Sequence, residues 1–106
     1  MDINDMRNQA SLSYDRAVAK KNIQERMENR MTVSHNGGVF KVEPELFVIL
    51  DLHDDDEMIL LDAYDTPVKE NREELRKLAK QRYFEIMNEW HAEWQDLKKI
   101  RKAEDV

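Results

Sequence analysis

NREELRKLAKQRYFEIMNEWHAEWQDLKKIRK, residues 71–102, decides how this chain is read: it holds no Gly and no Pro, and four of the eight aromatics (Tyr83, Phe84, Trp90, Trp94) fall within it. Asn71-Arg-Glu-Glu74 has the form of a capping box, in which the Asn side chain accepts from the new helix and Glu74 reaches back. Glu70, Glu73 and Glu74 at the start, and Lys98, Lys99, Arg101 and Lys102 at the end, match the sign of a helix dipole. Leu75, Ala79, Tyr83, Ile86, Trp90, Leu97 and Ile100 recur at helical spacing, with Leu78, Met87 and Trp94 beside them. The pattern predicts one long amphipathic helix over 71–103. At about 1.5 Å per residue it runs roughly 48 Å. A compact chain of this size has a radius of gyration of only ~13 Å. Such a helix either protrudes or lies against something besides its own domain.

Phe84 and Met87 widen the apolar arc beyond what one small sheet needs to cover. The centre of the helix is therefore expected to pack on strands within 46–64, with the segment beyond Trp94 projecting toward a partner. Tyr83, Phe84, Met87, Trp90, Trp94, Leu97 and Ile100 form the candidate interface, because aromatic residues and Met are enriched where protein interfaces bury their centres.

Upstream of the helix the periodicity is shorter. Leu46-Phe-Val-Ile-Leu-Asp-Leu52 and Met58-Ile-Leu-Leu-Asp-Ala-Tyr64 are apolar runs separated by His53-Asp-Asp-Asp-Glu57. Two antiparallel strands are the simplest reading; a short helix with Pro44 in its first turn is the alternative for 45–52. Asp65-Thr66-Pro67 is read as the end of the strand. Before them, Met31-Thr-Val-Ser and Val39-Phe-Lys-Val42 flank His35-Asn36-Gly37-Gly38, and Asn-Gly is a strong hairpin signal. Within residues 1–30 a helix is expected over much of 5–30, its start capped by Asp2 or Asn4, with a break near Ser11–Ser13. Its stripe is thin (Met6, Ala10, Tyr14, Ala17 or Val18, then Ile23, Met27 and Met31), so it needs a packing partner. The expected architecture is a single α+β domain over 1–106: N-terminal helix at 1–30, small antiparallel sheet or meander at 31–65, long C-terminal helix at 71–103.

Composition bounds the function. Of the 106 residues, 41% are hydrophobic and 38% charged, with a net charge of −6. The imbalance sits in the middle: residues 31–70 hold ten acids against Lys41 and Lys69, while both flanks are near neutral. Without cysteine, disulfides and thiolate metal sites are excluded and a reducing compartment fits. No run approaches membrane-spanning length, and MDINDMRNQAS lacks a signal-peptide core, so a cytoplasmic location and no membrane partner are expected.

Catalytic chemistry finds little purchase. The acidic run 51–57 lacks the alternating acids and the glycine of a calcium loop and reads as a solvated turn. His91-Ala-Glu-Trp94 is not a zinc-binding His-Glu-x-x-His, and His35 and His53 lie in turns. The three serines occupy no strained elbow motif, and Gly37-Gly38 is not a phosphate loop. No metal, cofactor, small-molecule substrate or enzymatic activity is expected. Arg16, Lys20, Lys21, Arg26 and Arg30 are diluted by acids, as is the basic C-terminal end, so direct nucleic-acid binding is not expected either.

Leu61-Asp-Ala-Tyr-Asp-Thr-Pro67 and Arg82-Tyr-Phe-Glu-Ile-Met-Asn-Glu-Trp90 resemble small proteins of T4-like tailed phages, cyanophages among them. The resemblance covers about a third of the chain and implies a phage accessory or virion-associated protein acting in a bacterial host. The leading expectation is a non-enzymatic assembly protein, a homo-oligomer or part of a larger complex, built through its helices. The alternative is an acidic regulator of a host nucleic-acid-processing machine, and the third a small metal-binding protein or enzyme.

Overall fold

The computed structural model describes the backbone of residues 3–52 and 54–104, and the side-chain surroundings of residues 14–52 and 54–99. Three helices and four strands lie among the described residues: α1 (Ile3–Arg30), β1 (Thr32–His35), β2 (Gly38–Lys41), α2 (Pro44–Asp51), β3 (Glu57–Leu61), β4 (Pro67–Asn71) and α3 (Arg72–Glu104). The fold is α+β, with two separate two-stranded antiparallel sheets between the N-terminal and the long C-terminal helix. The chain forms two compact units, one of residues 29–87 and one of residues 1–28 with 88–106.

In the 29–87 unit the first hairpin follows from two residues. Asn36 (φ 48°) and Gly37 (φ 83°) are the two central residues of its loop, and positive φ at both gives a turn whose twist matches that of the flanking strands. His35 pairs with Gly38 and Thr32 with Lys41, and Val42 N–H donates to Met31 O at 2.9 Å to extend the ladder. Gly38 has a different task from Gly37: a Cβ there would lie 2.7 Å from Phe40 Cε2 and 3.2 Å from Val68 Cγ2.

The 46–52 run is helical, correcting the strand reading. Pro44 occupies the first turn of α2, where its fixed φ fits and its missing N–H costs nothing. Leu46 and Leu50, one helical turn apart, share the buried face while Val48 is 61% exposed; a strand would have put Val48 on the same face as both leucines. The second sheet therefore pairs β3 with β4, which begins at Pro67, where the sequence reading ended the sheet and expected no further strand. Pro67 is the first residue of β4, a position where a missing ladder donor is tolerated. Asn71 closes β4 and caps α3, its Oδ1 accepting from Glu74 N–H at 3.0 Å. Glu74 does not complete the box; its carboxylate faces His35 Nε2 at 3.4 Å.

Phe40, Val42, Leu46, Leu50, Leu60, Leu75 and Ala79 make the core of this unit, flanked by Met31, Val33, Phe47, Met58 and Val68. The part of α3 that covers the core is its opening, Leu75 and Ala79, and not the 83–94 centre. Arg72 ties the acidic loop to the helix start: its N–H donates to Asp56 O at 2.9 Å and its Nε–H to Asp55 O at 3.2 Å. Arg82 Nε–H donates to Arg30 O at 3.0 Å, satisfying a carbonyl at the end of α1.

In the other unit α1 is unbroken, so the interruption expected at Ser11–Ser13 is absent. A Ser costs a helix only about 0.5 kcal/mol against Ala, too little to break one that has packing to gain. Asn4 lies inside the helix, while Asp2 falls outside the described residues. Residues 88–104 of α3 lie with α1, so the segment beyond Trp94 has a neighbour in its own chain. Met27 is the one fully buried side chain among the described residues of this unit.

Candidate interaction surface

Three features outside the core could meet another molecule, and the first is the expected aromatic face. In the 29–87 unit Tyr83 (39% exposed), Phe84 (53%) and Met87 (37%) stand outward while Ile86, on the inner face, is fully buried. Tyr83 and Phe84 meet edge to face with centroids 5.6 Å apart, a contact that holds both rings in place without covering them. In the other unit Trp90 is half-buried and Trp94 is 37% exposed. Both line a groove of about 240 Å³ with Lys20, Ile23 and Gln24 of α1. Lys20 Nζ sits 5.4 Å from the Trp94 ring centroid, within cation–π range. Arg26 pairs with Glu93 alongside. Leu97 is half-buried, and the side chain of Ile100 falls outside the described residues. The structure thus exposes Tyr83, Phe84, Met87 and Trp94, and partly covers Trp90 and Leu97.

A second feature lies between α2 and the 62–66 loop. Phe40, Leu46, Ile49, Leu61 and Ala63 line a groove of about 240 Å³. Glu43, Glu45, Asp62 and Asp65 stand round it against a single cation, Lys41. The loop is organised by Asp62: Oδ1 accepts from Tyr64 N–H (2.9 Å) and Thr66 N–H (3.0 Å), and Oδ2 from Val39 N–H (3.3 Å). The Thr66 N–H, ahead of those of Tyr64 and Val39, holds the Asp62 carboxyl below its ordinary 3.8 against the opposing effect of desolvation. Ala63 N–H donates to Val39 O at 2.7 Å, and Asp65 takes a positive φ of 59° to close the turn.

The opposite charge gathers on the first turns of α3. Arg72, Arg76, Lys77 and Lys80, with one acid, Glu73, line a shallow depression of about 410 Å³. Arg76 pairs with Asp51 at 2.9 Å, while Lys77 and Lys80 are exposed. Sequence reasoning placed its basic clusters at 16–30 and 98–102 and missed this one, although 72, 76 and 80 recur every four residues. It missed the groove as well, because reading 46–52 as a strand sends Ile49 to the wrong side.

His35, Glu70 and Glu74 form a polar cluster at the end of β1. Glu70 is fully buried; its Oε2 contacts His35 Nδ1 and accepts from Asn36 Nδ2 at 3.4 Å, and its Oε1 has no partner. Among the described residues no three His, Asp or Glu side chains are arranged to hold a metal ion, and His53 lies outside them. His91 pairs with Gln95 at 3.1 Å on an exposed turn of α3. No described helix is long and apolar enough to cross a membrane. Compared with protein-family models, curated proteins and solved structures, the chain matches none of them.

Proposed function

We propose that this chain is a non-enzymatic assembly protein that associates with copies of itself through the outward face of α3. The exposure of Tyr83, Phe84 and Met87 carries the reading: three large side chains stand in water on one stretch of α3, while Leu75 and Ala79 close the core and Ile86 is itself buried. Aromatic residues and Met contribute most where an interface excludes water. Following the resemblance of 61–67 and 82–90 to small proteins of T4-like phages, the assembly is a phage accessory or virion component in a bacterial host. Light scattering across a concentration series tests it: mass should rise above that of one chain in the micromolar range, and Phe84→Asp with Met87→Asp should abolish the rise. A single-chain mass at every concentration up to the solubility limit would overturn the proposal.

A second reading has its own observation. Asp54, Asp55 and Asp56 are all exposed, so the segment can present phosphate-like charge to a basic surface, as an acidic regulator of a host nucleic-acid-processing machine. Its mark is partner capture that fades with salt and vanishes in the D54N/D55N/D56N variant.

A further inference from the structure

We propose that the basic face of α3 in one copy docks into the acidic groove between α2 and the 62–66 loop of a second copy. This rests on the self-association reading and names the surfaces that meet. Three observations on one unit carry it.

The first is composition. The groove has an apolar floor, including Ile49 (40% exposed) and Leu61 (65%), inside a rim of four acids and one lysine. Its natural occupant is apolar at the centre and basic at the edge. The second is that the chain displays such a surface. Arg76, Lys77 and Lys80 are followed on the same helix by Phe84 and Met87, all exposed, and at 3.6 residues per turn Lys77, Lys80, Phe84 and Met87 occupy one broad flank. The lining charges are equal and opposite, net −3 for the groove and net +3 for the helix start. The third is that the two surfaces do not satisfy each other within the unit. Ile49, Leu61, Lys77, Lys80 and Phe84 all face solvent, so only another molecule can bring them together.

A second copy is favoured over a foreign basic partner because the complementary surface lies on this chain at the concentration of the groove itself. The contact is heterologous, groove to helix, so it closes into a ring or a reciprocal dimer only if the rotation permits. Asp62 is committed to its loop, which leaves Glu43, Glu45 and Asp65 as the acids able to turn toward the incoming lysines.

A charge swap tests the pairing. K77E/K80E and E43K/E45K each reverse exposed side chains, so both variants should fold, as circular dichroism will check. Each alone should weaken self-association measured by sedimentation by roughly tenfold or more, the size seen for close interfacial charge pairs. The four changes together should restore it to within about threefold of the unmodified chain. Association of the single variants at unmodified strength would overturn this pairing while leaving self-association standing; a monomer under all conditions would overturn both. A monomeric chain whose groove binds a synthetic peptide of residues 72–87 would assign the groove to a foreign basic helix and likewise overturn the proposal. Should a variant misfold, the unmodified protein decides: its association must weaken as salt screens the charges, and salt-independent association defeats the pairing.

Discussion

Gly38 and His35 face each other across the first rung of the hairpin, and each answers to a different physical demand. At Gly38 the demand is space. A methyl group would sit 2.7 Å from the Phe40 ring and 3.2 Å from Val68, both part of the packed interior. Gly38→Ala should therefore cost about 1–3 kcal/mol by overpacking, read as a lower urea midpoint with unchanged slope. At His35 the demand is a polar partner. Its ring faces the fully buried Glu70 carboxylate on one side and Glu74 on the other, and Glu70 Oε1 already lacks a partner. His35→Ala leaves a buried carboxyl without its main partner and should cost about 1–3 kcal/mol, whereas H35A/E70Q should recover part of the loss by replacing the acid with an amide. Equal urea midpoints for the single and double variants would show that the imidazole acts through packing alone. Asp62 adds a pH signature. Its carboxyl is more acidic folded than unfolded, so the anion stabilises the fold above about pH 3.8, and that contribution fades as pH falls through the lower folded value. The difference in melting temperature between the unmodified chain and D62N should be present at neutral pH and shrink below pH 3.8.

At the scale of elements, legibility followed the strength of local signals. The hairpin at 32–41 was readable because Asn36-Gly37 imposes positive φ, and α3 because Asn71 caps it and no Gly or Pro interrupts it. Asn71→Ala should remove that cap and cost about 1 kcal/mol, checked by thermal melting; an unchanged midpoint would mean that the β4 ladder alone sets the start of α3. The 46–52 run was ambiguous because an unbroken apolar stretch has no period, and its β-branched residues argue from propensity where the burial of Leu46 and Leu50 with Val48 left exposed between them decides. Strand β4 was invisible for a different reason. Its inward residues are Val68 and Glu70, and a buried acid breaks the apolar alternation that marks a strand. Glu70 is tolerated there only because His35, some 35 positions away, comes to meet it. The outward set Tyr83, Phe84, Met87 and Trp94 was legible from an apolar arc wider than one face needs. The cover that α1 residues Lys20, Ile23 and Gln24 give Trp90 was not, since it depends on a long-range pairing the thin α1 stripe does not announce.

For the whole molecule, the division into two units implies unequal stability. The 29–87 unit holds the entire buried cluster, from Phe40 and Val42 through Leu50 and Leu60 to Leu75 and Ala79. The described part of the other unit rests on Met27, the half-buried Ile23, Trp90 and Leu97, and exposed polar pairs such as Lys21–Glu25 at 4.0 Å. Solvent-exposed pairs of that kind contribute at most about 1 kcal/mol each. Tyr14 remains 70% exposed, so the helix turn that carries it gains little from packing. Opening free energies should then fall into two groups under native-state hydrogen exchange. Amides of Phe40, Leu60 and Ala79 should exchange only through global unfolding, and their rates should track urea as the global transition does. Amides of residues 17–26 should exchange through a smaller opening with weak urea dependence. Self-association through α3 sharpens the contrast: raising protein concentration should slow exchange at 83–87 while leaving 17–22 unchanged. Uniform protection along the whole of α1 and α3 at low concentration would show that the two units open as one and would remove the basis for this ranking.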